Sequence, residues 1–278
     1  MRKTLLALSL VAASAPVLAA DYSDDIHKND YKFLQFNLMY ALNEKPQSSK
    51  AGNTSHDYLE MEFGGRSGIF DLYGYVDVFN LLSGDSSDND KSNGATDKIF
   101  MKFAPRMSID AMTGYDLSFG PVQELYVATL MEWDGGRDTA VGVNTQKIGL
   151  GSDINMPWFG KMGLNLYATY DSNKNDWNGY QISTNWFKPF INFENGSFIS
   201  YQGYIDYQFG MKDKYASASN GGAMFNGLYW HSEHYAVGYG LKAYYNVYGI
   251  DDGSATGFDS GHWESSGITH YFDVTYKF

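Results

Sequence analysis

The sequence has no cysteine, few basic residues and no long apolar run after its first residues. Each of these shortages excludes a class of structure or of partner. Without cysteine the 278-residue chain forms no disulfide and carries no cysteine-based metal or catalytic motif. Its 20 basic residues are outnumbered by 32 acidic ones, a net charge of −12. This sign is wrong for a nucleic-acid partner, because phosphate contacts need a basic face. We therefore expect no nucleic-acid binding.

Residues 1–19 predict a secretory signal peptide. Arg2 and Lys3 precede an apolar stretch over 5–13, which is too short to span a bilayer as a helix. The small residues that follow form a cleavage site, which favours a signal peptide over a retained membrane anchor. Its removal leaves 18 basic and 32 acidic residues, a net charge of −14, in one mature domain over 20–278.

Aromatic residues and glycine are abundant, with 23 Tyr, 18 Phe, 6 Trp and 30 Gly. Aromatics favour pleated surfaces and membrane interfaces, and glycine favours tight turns. A chain without membrane-spanning helices crosses a bilayer only as a closed barrel, since every backbone polar group must be paired. The sequence therefore predicts an all-β fold, an antiparallel up-and-down transmembrane β-barrel of about twelve strands. The predicted strands are 31–42, 57–65, 68–79, 98–104, 121–133, 145–154, 162–171, 178–187, 197–209, 223–231, 235–245 and 267–278.

Apolar and polar residues alternate along these segments, so each strand has one face of each kind. In the last strand Phe272, Val274 and Tyr276 alternate with polar residues, and the segment ends on Phe278. This ending resembles the C-terminal assembly signal of bacterial outer-membrane barrels. We expect the apolar faces to contact lipid and the polar faces to line the lumen.

The predicted connections alternate in length, as in barrels with short periplasmic turns and longer external loops. The short ones are 64–67, 155–161, 188–195 and 232–234, and the long ones are 43–56, 80–97, 134–144, 210–222 and 246–266. Two segments depart from the alternation. Residues 105–120 are long for a periplasmic turn, and 172–177 are short for an external loop.

Several segments resemble the Tsx family of nucleoside-specific outer-membrane channels, and most closely its OmpK branch. The resemblance is carried by 57–63 (DYLEMEF), 70–77 (FDLYGYVD), 108–110 with 116–121 (DLSFGP), 100–106 (FMKFAPR), 181–190 (QISTNWFKPF) and 201–209 (YQGYIDYQF). It implies a monomeric twelve-stranded barrel in the bacterial outer membrane, in contact with lipid and lipopolysaccharide. It also implies a pore for nucleosides and external loops that serve as a bacteriophage receptor, with phage tail proteins as possible partners.

The candidate pore lining is the inward polar set of these strands. In a lumen of intermediate width, aromatic rings would stack on bases while carboxylates and amides would accept ribose hydroxyls. The acidic groups would disfavour phosphorylated nucleotides. Its members are Phe33, Glu60, Glu62, Asp71, Tyr73, Tyr75, Asp77, Lys102, Glu124, Tyr126, Asn165, Tyr167, Gln202, Tyr204, Asp206 and Lys242, with Tyr58 and Tyr244 beside them.

An alternative interpretation assigns the charged members to cross-lumen ion pairs that rigidify the barrel, since buried charges need partners. The residues in question are Glu60, Glu62, Asp71, Asp77, Lys102 and Lys242. Two further alternatives to a selective channel are a receptor or structural barrel with an occluded lumen, and a general narrow porin.

Metal and catalytic sites find little support in the sequence. Asp85, Asp88 and Asp90 lack the glycine and final glutamate of a calcium loop. His231 and His234 are close in sequence but have no evident third ligand. Motifs for a nucleophilic serine, a zinc protease or a phosphate-binding loop are missing. We therefore expect no enzyme activity, no metal and no cofactor.

Overall fold

The computed structural model describes residues 22, 25–52, 54–82, 98–134 and 142–278. The predicted signal peptide and the acidic residues at 85, 88 and 90 lie outside the described residues. The strands are β1 Tyr31–Leu42, β2 Gln47–Ser48, β3 His56–Ser67, β4 Phe70–Phe79, β5 Ile99–Phe103, β6 Arg106–Ser108, β7 Val122–Trp133 and β8 Asn144–Met156. They continue with β9 Gly160–Asp171, β10 Asp176–Asn192, β11 Phe198–Phe209, β12 Asn220–His231, β13 Tyr235–Tyr245, β14 Trp263–Glu264 and β15 Gly267–Lys277, and a short helix α1 spans Ile109–Thr113.

The strands close into a single antiparallel barrel. Around the wall the order is β3-β1-β15-β13-β12-β11-β10-β9-β8-β7-β5-β4, and β4 pairs back to β3. Closure is made by the first and last wall strands, where Phe36 lies opposite Tyr276 and Leu38 lies opposite Val274. The prediction of a twelve-stranded up-and-down barrel is confirmed, because β5 and β6 are two parts of one wall strand and β2 with β14 form a separate two-stranded sheet.

Two of the predicted boundaries are wrong, and proline explains both. Proline has no N–H to donate to a ladder, so the fourth wall strand breaks at Ala104 and Pro105 and resumes as β6. The long periplasmic connection therefore begins at Ile109 and contains α1. In β10 the strand continues past Pro189, with an irregular register there, so the turn starts after Asn192 and not at Lys188.

The alternation of side chains matches the predicted faces. Outward residues such as Leu150 and Val274 are 65% and 53% exposed, whereas the inward Lys147 and Asp153 are each only 3% exposed. An apolar exterior over a polar interior is the arrangement of a barrel that sits in lipid. Among the described residues, no helix has the length and apolarity needed to cross a bilayer.

The two ends of the barrel differ in their connections. Short turns, such as the one between β3 and β4, lie at the same end as α1 and the start of β1. Longer connections lie at the opposite end, where β2 pairs with β14 through Ser48 and Trp263. Barrels of this kind turn their short connections towards the periplasm, which makes the β2–β14 end the external one.

Candidate solute pathway in the barrel lumen

The structure places the predicted pore-lining residues on the inward faces of their strands. In β4 the inward face carries Asp71, Tyr73, Tyr75 and Asp77, and register pairs Glu60 with Asp77 and Glu62 with Tyr75. The other inward members are Phe33 on β1, Lys102 on β5, Glu124 and Tyr126 on β7, Asn165 and Tyr167 on β9, Gln202, Tyr204 and Asp206 on β11, and Lys242 on β13. Contact of these side chains with a solute stays a prediction.

The periplasmic end of the lumen is filled by an ion-pair network. The Arg66 guanidinium binds both oxygens of Glu124, at 2.5 and 2.9 Å. Arg106 binds Asp71 and, at 3.0 Å, Asp153, which also accepts a 3.0 Å hydrogen bond from Tyr126. Each arginine thus has carboxylate partners on other strands, which is what a buried charge requires.

The N-terminal segment enters the same end of the lumen. The Tyr22 hydroxyl donates to Glu124 at 2.6 Å, and its ring lies 5.2 Å from the Arg66 guanidinium. Asp30 fastens the segment to the β3–β4 turn by accepting from the Gly68 amide at 2.8 Å and the Ser67 hydroxyl at 3.0 Å. The Gly68 amide holds the pKa of Asp30 below its usual value. Tyr22 therefore narrows the periplasmic mouth.

An ion pair crosses the middle of the lumen. The Lys102 ammonium on β5 lies 2.7 Å from the Asp206 carboxylate on β11, and four wall strands separate these two on the shorter side. Lys102 also lies 3.9 Å from Glu132, which binds Lys147. The geometry of Lys102 is that of a cross-lumen ion pair, whereas Asp71 pairs with Arg106 on the neighbouring strand and not across the lumen.

Aromatic rings surround this cross-lumen pair. The Tyr204 ring stacks on Phe225 at 5.9 Å and 16°, and its centroid lies 5.8 Å from the Lys102 ammonium. Across the lumen the Tyr73 and Tyr75 rings meet edge to face at 6.3 Å, and Tyr73 is 37% exposed. These rings offer π-faces next to charged groups at one level of the pore.

Two inward glycines of β13 allow the neighbouring rings to lie flat against the wall. A Cβ on Gly240 would stand 2.3 Å from the Phe225 ring, and one on Gly238 would stand 2.1 Å from the Tyr229 ring. Any side chain at these positions would push a ring into the lumen. Tyr126 and Tyr167, in contrast, are only 0% and 2% exposed and present almost no surface to a solute.

Glu44 from the β1–β3 connection closes over the external end. It accepts hydrogen bonds from Tyr271 at 2.5 Å and Tyr244 at 3.1 Å, and it lies 3.4 Å from the Lys242 ammonium. In the sheet above it, Lys45 lies 2.5 Å from Glu264 and lowers the pKa of that carboxyl. The external mouth is therefore formed by loops that are joined by hydrogen bonds and ion pairs.

Sequence reasoning missed several residues of this pathway, among them Tyr22, Glu44, Arg66 and Arg106. Arg66 and Arg106 lie one and two positions beyond the predicted strand ends, so a longer second and fourth wall strand would have included them. Tyr22 and Glu44 lie outside the wall strands, where period-two alternation gives no signal.

The structure does not bring the two histidines together as metal ligands. His231 faces inward, where its Nε2 lies 2.8 Å from the Ser200 hydroxyl and its ring stacks on Phe198. His234 lies in the following turn beside Tyr276. Within the part of the chain that the structure describes, no three His, Cys, Asp or Glu side chains have a metal-binding arrangement.

Comparison with known proteins identifies the barrel's relatives. The family model described as nucleoside-specific channel-forming protein, Tsx, matches residues 28–278. The chain belongs to the Tsx family. It is 71% identical to the outer membrane protein OmpK of Vibrio parahaemolyticus over the full length of both chains. It is 31% identical, again over 100% of both chains, to the nucleoside-specific channel-forming proteins Tsx of Klebsiella aerogenes and of Salmonella typhimurium.

Family membership and the closed barrel together define the class of this protein. It is an outer-membrane channel of the Tsx family. The Tsx family resemblance seen in the sequence is thereby confirmed, and so is the location in the bacterial outer membrane.

Proposed function

We propose that this channel passes nucleosides and related uncharged solutes. The observation that carries the proposal is the adjacency of ring faces and hydrogen-bonding carboxylates at mid-lumen. The Tyr73 hydroxyl donates to Glu62 at 2.9 Å, and Tyr204 neighbours the Lys102–Asp206 pair. The names of the Tsx relatives, which are channels for nucleosides, support the same solute class.

The chemistry of a nucleoside fits this arrangement. Its base has a π-face whichever base it is, and stacking of that face on an aromatic ring contributes about 1–3 kcal/mol. Its ribose hydroxyls donate to carboxylate or amide oxygens such as those of Glu62 and Asp206. Several such weak contacts in series let a solute enter and leave, whereas one tight site would hold it.

The charge of the chain supports exclusion of the phosphorylated forms. The acidic side chains around Glu60 and Asp77 repel the phosphates of a nucleotide, and a low-dielectric wall strengthens that repulsion. We therefore expect a nucleoside to enter the lumen more readily than its 5′-monophosphate.

Single-channel recording in a planar bilayer tests the proposal. Nucleosides should reduce the ion current, and Tyr204→Ala should raise the concentration needed for half block about five-fold or more, as expected for the loss of at least 1 kcal/mol of stacking. Tyr201→Ala is the matched control. Tyr201 lies on the outward face of the same strand, where it packs at 5.8 Å on Trp186. A wild-type current indifferent to millimolar nucleoside would leave a general narrow porin as the function.

We also propose a second role in surface recognition, including bacteriophage attachment, for the external loops. The supporting observation is their organisation: Ser48 binds Asp259 at 2.6 Å, and Lys45 binds Glu264. A defined loop surface above a membrane is what a phage tail protein meets. Deleting 253–261 should reduce phage adsorption and leave ion conductance intact, and unchanged adsorption would contradict this role.

The remaining expectations complete the proposal. The mature protein begins near residue 20 after removal of the signal peptide, works as a monomer in contact with lipid and lipopolysaccharide, and has no catalytic activity. Its exposed outward rings, such as Tyr239 and Phe272 at 5.5 Å from each other, suit the interface with lipid. Mass spectrometry of the outer-membrane protein, and its size in detergent, test the first two points.

A further inference from the structure

Charge is distributed unevenly around the lumen, and nearly all the inward cations are neutralised. The ion pairs are Arg66–Glu124, Arg106 with Asp71 and Asp153, Lys102–Asp206, Lys147–Glu132, Lys161–Asp153 and Lys242–Glu44. Lys277, at the periplasmic end, contacts the Ser232 carbonyl at 2.5 Å. These cations therefore leave little positive charge to attract an anion.

The part of the wall made of β1, β3 and β15 also holds carboxylates that are bound by neutral donors. The Asn37 amide donates to Glu60 at 2.6 Å and to Glu62 at 3.2 Å. Gln35 donates to Glu62 at 2.5 Å, and Thr275 donates to Asp273 at 3.2 Å. Among the described residues, Glu60, Glu62 and Asp273 form no ion pair. Neutral donors fix these side chains in place and bring no positive charge to them. We call Glu60, Glu62, Asp273 and Asn37 the acidic wall.

Two oxygens of the acidic wall are buried without a hydrogen-bond donor. The Asn37 side chain, 3% exposed, has no partner at its Oδ1, although its amide nitrogen bridges the two glutamates. Asp273, 5% exposed, has none at its Oδ1. Buried acceptors in native proteins almost always have donors, and leaving one unsatisfied costs about 1–3 kcal/mol. Within the described residues the wall thus has no cationic partner and has two acceptor oxygens without a donor, and a cation that carries N–H groups supplies both.

We propose that the acidic wall binds organic cations that carry primary ammonium or guanidinium groups, and that it makes the channel prefer cations to anions. These groups have three or more N–H donors on a charged centre, so they satisfy carboxylates and an amide oxygen together. The described carboxylates do not converge as metal ligands, which argues against a coordinated metal ion. This inference goes beyond passage of uncharged nucleosides, because it names a second solute class, although Glu60 and Glu62 belong to both the nucleoside path and the acidic wall.

The first test measures the reversal potential of the wild-type channel under a potassium chloride gradient. We expect a potassium-to-chloride permeability ratio above about three, since each uncompensated charge beside a narrow pore changes ion occupancy by a factor of that order. Glu60→Gln with Asp273→Asn should bring the ratio close to one. Glu233→Gln, which removes one carboxylate from an exposed periplasmic turn, is the control for either single substitution and should leave the ratio unchanged.

The second test uses spermidine, a flexible primary amine, as the probe for block of the potassium current. Wild-type current should be blocked, and Glu60→Gln alone should weaken the block several-fold; the Gln side chain keeps an oxygen for the Asn37 amide, so this variant is expected to fold. Folding is checked by the gel shift of heated against unheated protein. A wild-type ratio at or below one, or spermidine block that survives both substitutions, would overturn the inference. Block by nucleosides is measured separately from block by spermidine. A wild-type channel that nucleosides do not block would contradict the proposed function without contradicting the cation preference.

Discussion

The Lys102–Asp206 pair offers the sharpest test of how the lumen is held together. Lys102→Met removes the ammonium and keeps most of the side-chain volume. Asp206 then retains the Ser183 hydroxyl, at 2.5 Å, and the Gln181 amide, at 3.2 Å, but loses the ammonium of Lys102 at 2.7 Å. The perturbation therefore leaves a carboxylate that is partly satisfied and no longer neutralised.

The size of the effect follows from distance and burial. At 2.7 Å and an effective dielectric constant of about 20, the attraction is roughly 6 kcal/mol before desolvation is subtracted. The two side chains are 15% and 22% exposed, which lies between a surface pair, about 0.2–1 kcal/mol, and a buried pair, about 3–5 kcal/mol when broken. We expect Lys102→Met to lower the free energy of unfolding by about 2 kcal/mol, close to a thirty-fold change in the equilibrium constant.

A double-mutant cycle measures the coupling directly. Lys102→Met, Asp206→Asn and the double variant are refolded into lipid vesicles and unfolded in urea, with tryptophan fluorescence as the signal. We expect the double variant to be more stable than the sum of the single losses predicts, by about 1–2 kcal/mol. Additive losses, with coupling below about 0.5 kcal/mol, would show that the pair is not made in the membrane and would refute the reasoning.

Three further predictions concern the mouths and the wall. Tyr22→Ala should increase single-channel conductance, because the Tyr22 side chain contacts both Arg66 and Glu124 in the periplasmic mouth, and unchanged conductance would contradict this placement. Gly240→Val should decrease conductance in a barrel destabilised by about 1–3 kcal/mol, because the new side chain overlaps the adjacent aromatic ring; a current equal to wild type would contradict this. The Asp30 pKa is lowered in the folded protein. The stability that the ionised Asp30 carboxylate contributes is therefore complete above the usual carboxyl pKa of 3.8 and is lost as pH falls through the lowered value. The Gly68 amide proton shift should therefore titrate below pH 3.8 in the wild type and not in Asp30→Asn.

The alternation of side chains was predictable from sequence because it is a local property of a strand. Successive residues point to opposite faces, so the pattern at Phe272, Val274 and Tyr276 fixed the lipid side of the last strand without knowledge of its neighbours. The number of wall strands followed from counting such segments. Where the pattern was interrupted, at Pro105 and Pro189, the predicted ends were wrong because proline breaks a ladder without always ending the strand.

The contacts across the lumen were decided only by the tertiary structure. Lys102 and Asp206 are 104 residues apart, and Lys242 and Glu44 are 198 apart. Period-two alternation states that such side chains point inward, but it does not state which of them meet. Which inward side chains meet depends on the register of every intervening strand and on closure of the barrel. Closure therefore decides which carboxylates neutralise cations and which belong to the acidic wall. The sequence alone determined a barrel with a charged interior, whereas ring closure decided where in that interior charge is left uncompensated.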